Sequence, residues 1–225
     1  MKIINFNIKI DNIEELEKEK EKIFNKVIYN YSTEYNRKLV NEYKEKEKEI
    51  LMLKTKILCI MGKSGIGKST LIKELSKNNN FYNVKSFTTR KERKNDPNDK
   101  DTHIFVTKEK YEKDLKNNKI IALYSSPLGY YSYTSVESFN VEKINLYAID
   151  PIAFNELSKK YNNVYGIYLD LDENERIKRK TNRDLDLKVD PEEHLDKKHL
   201  IGDNLLILNI DNKTPKEICD IICNQ

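Results

Sequence analysis

The chain has 225 residues, of which 38% are hydrophobic and 35% charged, and this fits one substantial domain with an appendage. Its net charge of +4, from 41 basic and 37 acidic residues, is too small to indicate nucleic-acid binding by itself. No apolar run approaches the roughly 18–20 residues that a transmembrane helix needs, and the amino terminus lacks the pattern of a secretory signal.

The cysteines also narrow the class of protein. Cys59, Cys219 and Cys223 form no C-x-x-C pair, and their odd number argues against a disulfide framework or a zinc site. Cys219 and Cys223 are four residues apart and would share one face of a helix, so small, buried apolar side chains are the simpler interpretation of these two. We therefore expect a soluble, cytoplasmic protein without nucleic-acid or membrane partners.

The first fifty or so residues differ in pattern from the rest of the chain. Residues 3–10 alternate weakly in hydrophobicity and predict a short strand. Residues 13–53 contain neither glycine nor proline, and their apolar residues recur at steps of three and four, which predicts one long amphipathic helix or two helices. Two interpretations stay open: this region packs on its own chain, or it forms a coiled-coil homodimer, although Lys20 breaks a strict heptad. We take residues 1–54 as a separate N-terminal region.

From residue 55 onward, strand-like and helix-like segments alternate, which indicates an α/β fold with a parallel sheet covered on both faces. The predicted strands are at 56–61, 82–88, 103–107, 119–125, 130–134, 144–149, 164–171 and 205–210. Helices are predicted at 68–76 and 107–117, and from Pro151, Asp172, Pro191 and Pro215. Most strands between 82 and 134 lack crossover helices, so we expect a small, mainly antiparallel insert there.

A glycine-rich segment follows the first of these strands and reads GKSGIGKST at 62–70, which matches the phosphate-binding pattern G-x-x-x-x-G-K-[ST]. Its glycines let backbone N–H groups turn onto phosphate oxygens, Lys68 neutralises the β- and γ-phosphates, and the Ser69 hydroxyl ligates Mg²⁺. The strand before it and the helix after it disfavour the alternative, a glycine-rich turn in an unrelated fold. The predicted ATP-binding residues are Gly62, Ser64, Gly65, Gly67, Lys68, Ser69 and Thr70.

A second motif, SFTTRKER at 86–93, lies downstream of this loop. Together the two motifs resemble those of the guanylate kinase family, and the resemblance covers about residues 55–225. It implies a P-loop three-layer core with a nucleoside-monophosphate-binding insert at about 82–134 and a basic lid at about 179–198. It also implies that Ser86, Arg90 and Arg93 bind the acceptor, because two guanidinium groups can grip a monophosphate bidentately. A solvated run of charges is the alternative for RKER.

The same resemblance adds four residues to the predicted acceptor site. The segment GYYSYTS at 129–135 is similar to a family motif that would contribute Tyr131 and Thr134, and His103 falls where the family has a tyrosine. Asp150 falls on a family aspartate, although an aspartate before a proline is also a helix N-cap. For His103, a structural role in a strand is an equally good interpretation.

The basic segment RIKRKTNR at 176–183 resembles the lid of that family. The resemblance implies that Arg179 and Arg183 are catalytic and neutralise charge on the transferring phosphoryl group. An exposed basic helix face is the alternative. Lys198 stands where the family has an arginine, and a lysine cannot repeat a bidentate contact.

These motifs imply ATP- and Mg²⁺-dependent phosphorylation of a nucleoside monophosphate, with GMP or dGMP as the first candidates. The family's guanine-reading glutamate falls at Leu123, whose side chain cannot accept hydrogen bonds from guanine. Another (deoxy)nucleotide or a phosphorylated sugar is therefore a second candidate acceptor. A guanylate-kinase-like module that only binds partners is a third interpretation, which the complete phosphate loop disfavours.

Overall fold

A computed structural model describes residues 10–28, 33–93, 99–181 and 195–224 of the chain. The helices in these ranges are α1 (Ile10–Ile28), α2 (Thr33–Lys54), α3 (Lys68–Leu75), α4 (Asp99–Thr102), α5 (Lys108–Lys116), α6 (Pro151–Lys160), α7 (Glu173–Thr181) and α8 (Pro215–Asn224). The strands are β1 (Lys56–Met61), β2 (Phe81–Val84), β3 (Ser86–Thr88), β4 (His103–Phe105), β5 (Ile120–Ser125), β6 (Tyr131–Ser135), β7 (Ile144–Ala148), β8 (Val164–Asp170) and β9 (Leu205–Asn209). Within the described ranges, no helix combines the length and hydrophobicity that crossing a bilayer requires.

Five strands form a parallel sheet in the order β2-β7-β1-β8-β9. The central strand β1 is buried from Ile57 to Met61, because a strand with helices on both sides needs apolar residues at nearly every position. Helices α3 and α8 cover one face of the sheet, and α6 covers the other. Helix α6 lies so close that a Cβ at Gly166 would be 2.6 Å from the Phe154 ring. This architecture confirms the predicted α/β core.

A second sheet of four strands has the order β4-β3-β6-β5 and is mainly antiparallel, as predicted. The prediction of a single strand at 82–88 is wrong, because the chain changes sheets within it. Val84 pairs with Tyr147 in the central sheet, whereas Phe87 pairs with Tyr133 in the small one. Alternation with a period of two is the same in both sheets, so the hydrophobic pattern does not mark this change.

The N-terminal region forms two helices packed antiparallel to each other, not one continuous helix. Glu19 on α1 pairs with Lys46 on α2 at 2.7 Å, and the ring of Phe24 lies 6.1 Å from that of Tyr43. Residues later in α1 therefore face residues earlier in α2. The apolar stripe that predicted a long helix is used in part to hold these two helices together.

Helix α2 contacts both sheets of the rest of the chain. Lys48 donates from Nζ to the carbonyl oxygens of Asn118 at 3.3 Å and Ile120 at 3.1 Å, at the start of β5. Near its other end, the amide of Asn163 donates to the Met52 carbonyl oxygen at 2.7 Å, and Met52 is fully buried. Packing of the N-terminal region on its own chain, the first of the two interpretations, is therefore observed.

Two predicted helix starts are defined by their capping residues. Asp150 accepts a hydrogen bond from the Ala153 N–H at 2.9 Å and is the N-cap of α6. At α8, Thr214 and Glu217 form a reciprocal pair, in which each accepts from the backbone N–H of the other. These contacts stabilise the helix ends by satisfying N–H groups that have no partner inside the helix.

Two other predictions fall at the edges of the described ranges. Ile10 belongs to α1, so the predicted strand at 3–10 is wrong at its last residue, and residues 3–9 lie outside the described residues. The helix predicted from Pro191 also begins outside them. Of the predicted lid at 179–198, the structure describes the end of α7 and the short helical turn Lys197–His199.

Candidate active site

The phosphate loop connects β1 to α3. Its first glycine, Gly62, has a φ of +140°, and a Cβ there would lie 2.9 Å from the Leu169 carbonyl oxygen, so only glycine fits without strain. Gly67 precedes α3 with a φ of +106°. The Lys68 ammonium group donates to the carbonyl oxygens of Gly62 at 2.6 Å and Lys63 at 3.1 Å. The loop therefore curls around this ammonium group at the amino terminus of a helix, an arrangement that binds phosphate oxygens.

The loop opens onto a cleft of about 260 Å³ between the two sheets. On the loop side, the cleft is lined by the predicted ATP-binding residues Ser64, Gly65, Gly67, Lys68, Ser69 and Thr70. The small sheet and the segment after β3 contribute the predicted acceptor residues Ser86, Arg93 and His103, and Asp150 lines the cleft after β7. The fold thus brings residues from both predicted groups to one cleft. Arg90, Tyr131 and Thr134 are not among the described residues that line it.

Three hydroxyl groups form a chain on the acceptor side. Thr134 is 0% exposed, and its Oγ1 lies 3.3 Å from Oγ of Ser86 and 2.6 Å from Oη of Tyr147. Burial raises the pKa of Tyr147, so its hydroxyl group keeps a proton to donate. Ser86 and Tyr147 line the cleft, and Thr134 supports both from behind.

Two residues of β6, Ser132 and Tyr133, line the cleft. Ser132 lines the cleft, and its Oγ lies 3.0 Å from Oγ1 of Thr88. Tyr131 is not among the described residues that line the cleft, and its ring stacks on that of Tyr111 with the centroids 4.2 Å apart. The structure therefore places Ser132, and not Tyr131, at the surface of the acceptor side. Ser132 was not among the predicted site residues, although it adjoins Tyr131 in the motif.

The two arginines of SFTTRKER have different surroundings. The Arg90 guanidinium group forms a bidentate ion pair with the Asp99 carboxylate, and these side chains are 10% and 2% exposed. Arg93 is exposed and lines the cleft, while its backbone N–H donates to Asp99 at 2.9 Å. The structure thus presents the Arg93 guanidinium group to the cleft and uses that of Arg90 inside the insert.

Asp99 is the centre of a buried polar cluster beside the cleft. Burial by itself raises the pKa of this carboxyl group. Hydrogen bonds from Arg90, His103 and the Arg93 N–H, together with the Arg90 charge, outweigh burial and hold the pKa well below its usual range. Nδ1 of His103 lies 2.9 Å from Oγ1 of Thr102 and 3.4 Å from Oδ1 of Asp99. His103 therefore has structural partners on one side and the cleft on the other.

Asp150 and Leu123 occupy two further walls of the cleft. Asp150 caps α6, which confirms the N-cap interpretation, and it also lines the cleft. The Leu123 side chain, on β5, is 41% exposed. It offers no hydrogen-bond acceptor, so this wall has no carboxylate at the position predicted to recognise guanine.

Helix α7 carries the first part of the predicted lid. Arg179 donates from Nε to Glu175 at 3.1 Å and is not among the described residues that line the cleft. Arg183 lies outside the described residues. Arg176, which the sequence analysis missed, is 6% exposed and donates from Nη1 to the Ser64 carbonyl oxygen at 2.8 Å. No local spacing reveals this residue, because the contact joins distant parts of the chain.

The side chains that line the cleft include possible ligands for a metal ion. In the described part of the chain, no three His, Cys, Asp or Glu side chains are grouped so that they could hold a metal ion. Ser69 and Asp150, both oxygen donors, line the same cleft, and the strands that precede them, β1 and β7, are paired neighbours. Mg²⁺ in phosphate sites is held mainly by phosphate oxygens and water, with one or two protein oxygens. This donor set therefore fits a Mg²⁺ ion that arrives with a nucleotide.

Comparison with known proteins gives one consistent family. The profile of the guanylate kinase family matches residues 54–198, more than half of the chain. The guanylate kinase of Clostridium tetani (strain Massachusetts / E88) is 36% identical over 94 residues, which are 42% of this chain and 44% of that protein. That of Aster yellows witches'-broom phytoplasma (strain AYWB) is 44% identical over 64 residues, 28% of this chain and 30% of that protein. The chain spans less than half the length of the curated relatives it matches.

A solved structure extends the comparison to the fold. The crystal structure of guanylate kinase from Anaplasma phagocytophilum superimposes with a TM-score of 0.52 and covers 75% of this chain and 82% of that one. The two sequences are 19% identical, so this match bears on the fold alone. It agrees with the parallel core and the smaller second sheet.

Proposed function

Since this chain belongs to the guanylate kinase family, we propose that it transfers the γ-phosphoryl group of ATP to a nucleoside monophosphate, GMP or dGMP in first place. The observation that carries the proposal is the single cleft, with the phosphate loop on one side and Arg93 among hydroxyl groups on the other. In this reaction an acceptor phosphate oxygen bonds to the γ-phosphorus while the bond to the β–γ bridging oxygen breaks. The products are ADP and the acceptor diphosphate.

On the donor side, the loop residues fit ATP with Mg²⁺. The loop N–H groups and the Lys68 ammonium group bind the β- and γ-phosphates, and the Ser69 hydroxyl is the protein ligand of Mg²⁺. The bound metal ion supplies charge neutralisation. Two features support this assignment: the Lys68 ammonium group contacts the Gly62 carbonyl oxygen at the start of the loop, and the amino terminus of α3, the positive end of its dipole, follows the loop.

On the acceptor side, Arg93 and Ser86 contact the acceptor phosphate in this proposal. Arg90 acts through its pair with Asp99, which fixes the segment that carries Arg93. Ser132 takes the position predicted for Tyr131, because it is the residue of this pair that lines the cleft. The remaining proposed acceptor contacts are His103 and Asp150, with Thr134 behind Ser86.

Arg179 and Arg183 stay predictions as catalytic lid residues. The ion pair of Arg179 with Glu175 is partly exposed, with side-chain exposures of 35% and 45%. Such a pair is weak, so Arg179 can exchange it for a phosphate at little cost. Closure of the lid over two bound substrates would bring these arginines toward the transferring group and exclude water.

The identity of the acceptor base gives a second candidate function. Leu123 leaves one wall without the carboxylate that guanine N–H groups need, and this observation favours another (deoxy)nucleotide or a phosphorylated sugar as the runner-up acceptor. A module that only binds partners would have no use for the conformation of Gly62 or the position of Lys68. We therefore rank phosphoryl transfer above a purely binding role.

The division of the chain into regions, its oligomeric state and its cellular location remain proposals. We propose residues 55–225 as the catalytic unit and 1–54 as an accessory region. Homodimerisation through residues 13–53 stays a prediction, and part of the apolar surface it needs is used between α1 and α2. Sedimentation of the full-length chain as a monomer at micromolar concentration would contradict it. A cytoplasmic location also stays a prediction.

A coupled assay of ATP consumption with GMP, dGMP, AMP, CMP and UMP tests the proposed function. We expect GMP or dGMP to be the best acceptor, with a preference about ten- to a hundredfold weaker than a site with a guanine-reading carboxylate would give. Sharp specificity for GMP would mean that another residue replaces that carboxylate. Absence of turnover with every nucleotide would move the assignment to a non-nucleotide acceptor or to a binding role.

A further inference from the structure

Arg176 on α7 is a buried charge to which the proposed function assigns no role. Its side chain is 7% exposed. Nε and Nη2 donate to the Glu173 carboxylate at 3.0 and 2.6 Å, and Nη1 donates to the Ser64 carbonyl oxygen at 2.8 Å. Removing a charge from water is costly unless it is paired and hydrogen bonded, and Arg176 meets both conditions here. The burial of this charge therefore depends in part on its hydrogen bond with the phosphate loop.

The contact with Ser64 fixes the orientation of one peptide unit of the loop. A trans peptide is planar, and its C=O and N–H groups point in opposite directions. Because Arg176 holds the Ser64 carbonyl oxygen toward α7, the N–H of Gly65 in the same peptide points away from α7. Ser64 and Gly65 both line the cleft, whereas Arg176 does not. The contact therefore fixes the direction of the Gly65 N–H in a peptide whose two residues line the cleft.

Lys63 joins the same cluster from within the loop. Its Nζ lies 3.6 Å from Glu173 and 3.7 Å from Asp196. The hydrogen bond and the charge of Arg176 lower the pKa of Glu173, so this carboxylate stays ionised between its two cationic neighbours. The Lys63 contacts are long and partly exposed, so the buried Arg176 contact is the stronger link between α7 and the loop.

From these contacts we propose that Arg176 is a positioning residue, which orients the Ser64–Gly65 peptide so that the Gly65 N–H can bind a donor phosphate. The proposal rests on the proposed function for the identity of the donor, ATP. A purely structural role, in which Arg176 only holds α7 against the loop, predicts a lower melting temperature with no selective change in nucleotide binding. The two roles are therefore distinguishable by measuring affinity and stability separately.

The test compares Arg176→Met with Lys178→Met, since Lys178 is exposed on the same helix and gives a matched control. Isothermal titration calorimetry of the full chain measures the Kd for ATP with Mg²⁺ and, separately, the Kd for GMP. Loss of the charge-assisted hydrogen bond should raise the ATP Kd of Arg176→Met about tenfold or more. The GMP Kd should stay within about twofold, and Lys178→Met should match the wild type in both.

Arg176→Lys keeps the charge and should give an ATP Kd between those of the wild type and Arg176→Met. An unchanged ATP Kd in Arg176→Met overturns the proposal, whatever happens to the melting temperature. Equal losses of ATP and GMP affinity, or failure of both Arg176 variants to fold, also overturn it in favour of a structural role. Failure of the proposed function is a separate result, namely wild-type protein that binds ATP but phosphorylates no acceptor.

Discussion

The donor and acceptor sides of the cleft are built in different ways. The donor side is one continuous segment, 62–70, in which the Lys68 ammonium group contacts backbone carbonyl oxygens of the same loop. The acceptor side collects single side chains from β3, β5 and β6 and from the end of β7, among them Ser86, Leu123, Ser132 and Asp150. The geometry of a continuous loop is determined largely by its own residues. A surface made from several strands depends on their register and on which charged groups pair with one another.

This difference predicts how each side responds to substitution. In the proposed reaction the donor phosphate is common to every acceptor, so a substitution on the donor side should affect all acceptors equally. The acceptor side holds one particular molecule, so damage there should change its binding selectively and leave the donor alone. Inside the acceptor side, Asp99 and Arg90 act on the fold of the insert, whereas Arg93 and Ser132 act at its surface.

The largest expected effect is that of Lys68→Ala. Removing the ammonium group that faces the charge developing on the β- and γ-phosphates should lower kcat about 10³-fold for every acceptor, without unfolding the chain. Lys73→Ala is the matched control, since Lys73 is exposed on the same helix and should be neutral. Steady-state kinetics with two acceptors measures both. Near-normal turnover of Lys68→Ala would mean that the loop is not the donor site.

The next effect is on stability and its dependence on pH. Asp99→Asn leaves the buried Arg90 charge without its partner, so the free energy of unfolding should fall by about 3 kcal/mol at pH 7. The folded pKa of Asp99 lies below the unfolded value, so its contribution is complete above about pH 4 and is lost as the pH falls toward the folded pKa. The difference between wild type and variant should therefore be smaller at pH 3 than at pH 7.

Urea denaturation at the two pH values measures this difference. Asp101→Asn is the control, because Asp101 lies on the same short helix but its side chain is 49% exposed. Its ion pair with Lys73, at 3.7 Å, is long and lies at the surface, so it contributes little to stability. It should change the free energy of unfolding little at either pH. A gap between wild type and Asp99→Asn that is the same at pH 3 and pH 7 would show that the carboxylate charge is not what stabilises the insert.

A smaller effect separates the two arginines. Arg93→Lys should raise the acceptor KM about tenfold with little change in the KM for ATP, because the bidentate contact is lost while the charge stays. Arg90→Lys should instead lower the melting temperature, since Arg90 is paired inside the insert. Acceptor kinetics and thermal unfolding of both variants make the comparison. If Arg93→Lys handles the acceptor as the wild type does, this part of SFTTRKER is a solvated basic turn.

The smallest effect concerns the register of β6. Ser132→Ala removes one hydroxyl group from the cleft and should raise the acceptor KM about two- to tenfold. Tyr131→Phe removes a hydroxyl group from a ring that stacks on Tyr111 and is not among the described residues that line the cleft, so it should leave the acceptor KM unchanged. The reverse outcome would show that Tyr131, as the sequence motif implied, is the acceptor residue.

The sequence predicted the local structure of the phosphate loop almost completely. The glycines, Lys68 and the helix start are neighbours in the chain, so their arrangement follows from local geometry. The α/β core was also predictable, because strands such as β1 are buried on both faces and read as continuous apolar runs. The capping pair at Thr214 and Glu217 was visible in the sequence for the same local reason.

The acceptor side could be predicted only in part. A motif places Ser86 and Arg93 near the cleft, but it does not say that Asp99 takes up the Arg90 guanidinium group, because this depends on tertiary pairing. The motif predicts Tyr131, whereas the neighbouring Ser132 lines the cleft, and this depends on how the strands pack rather than on the motif itself. The antiparallel pairing of α1 with α2 and the contact of Arg176 with the loop are likewise long-range.

The most direct test of the central claim, that one cleft joins a donor phosphate to an acceptor monophosphate, is a transfer experiment. ATP labelled at its γ-phosphate is incubated with the full chain, Mg²⁺ and GMP, and the products are separated by thin-layer chromatography. The account predicts that the label appears in GDP, that its appearance requires Lys68, and that little free phosphate forms. Label found only in free phosphate, or in no diphosphate with GMP, dGMP, AMP, CMP or UMP, would contradict it.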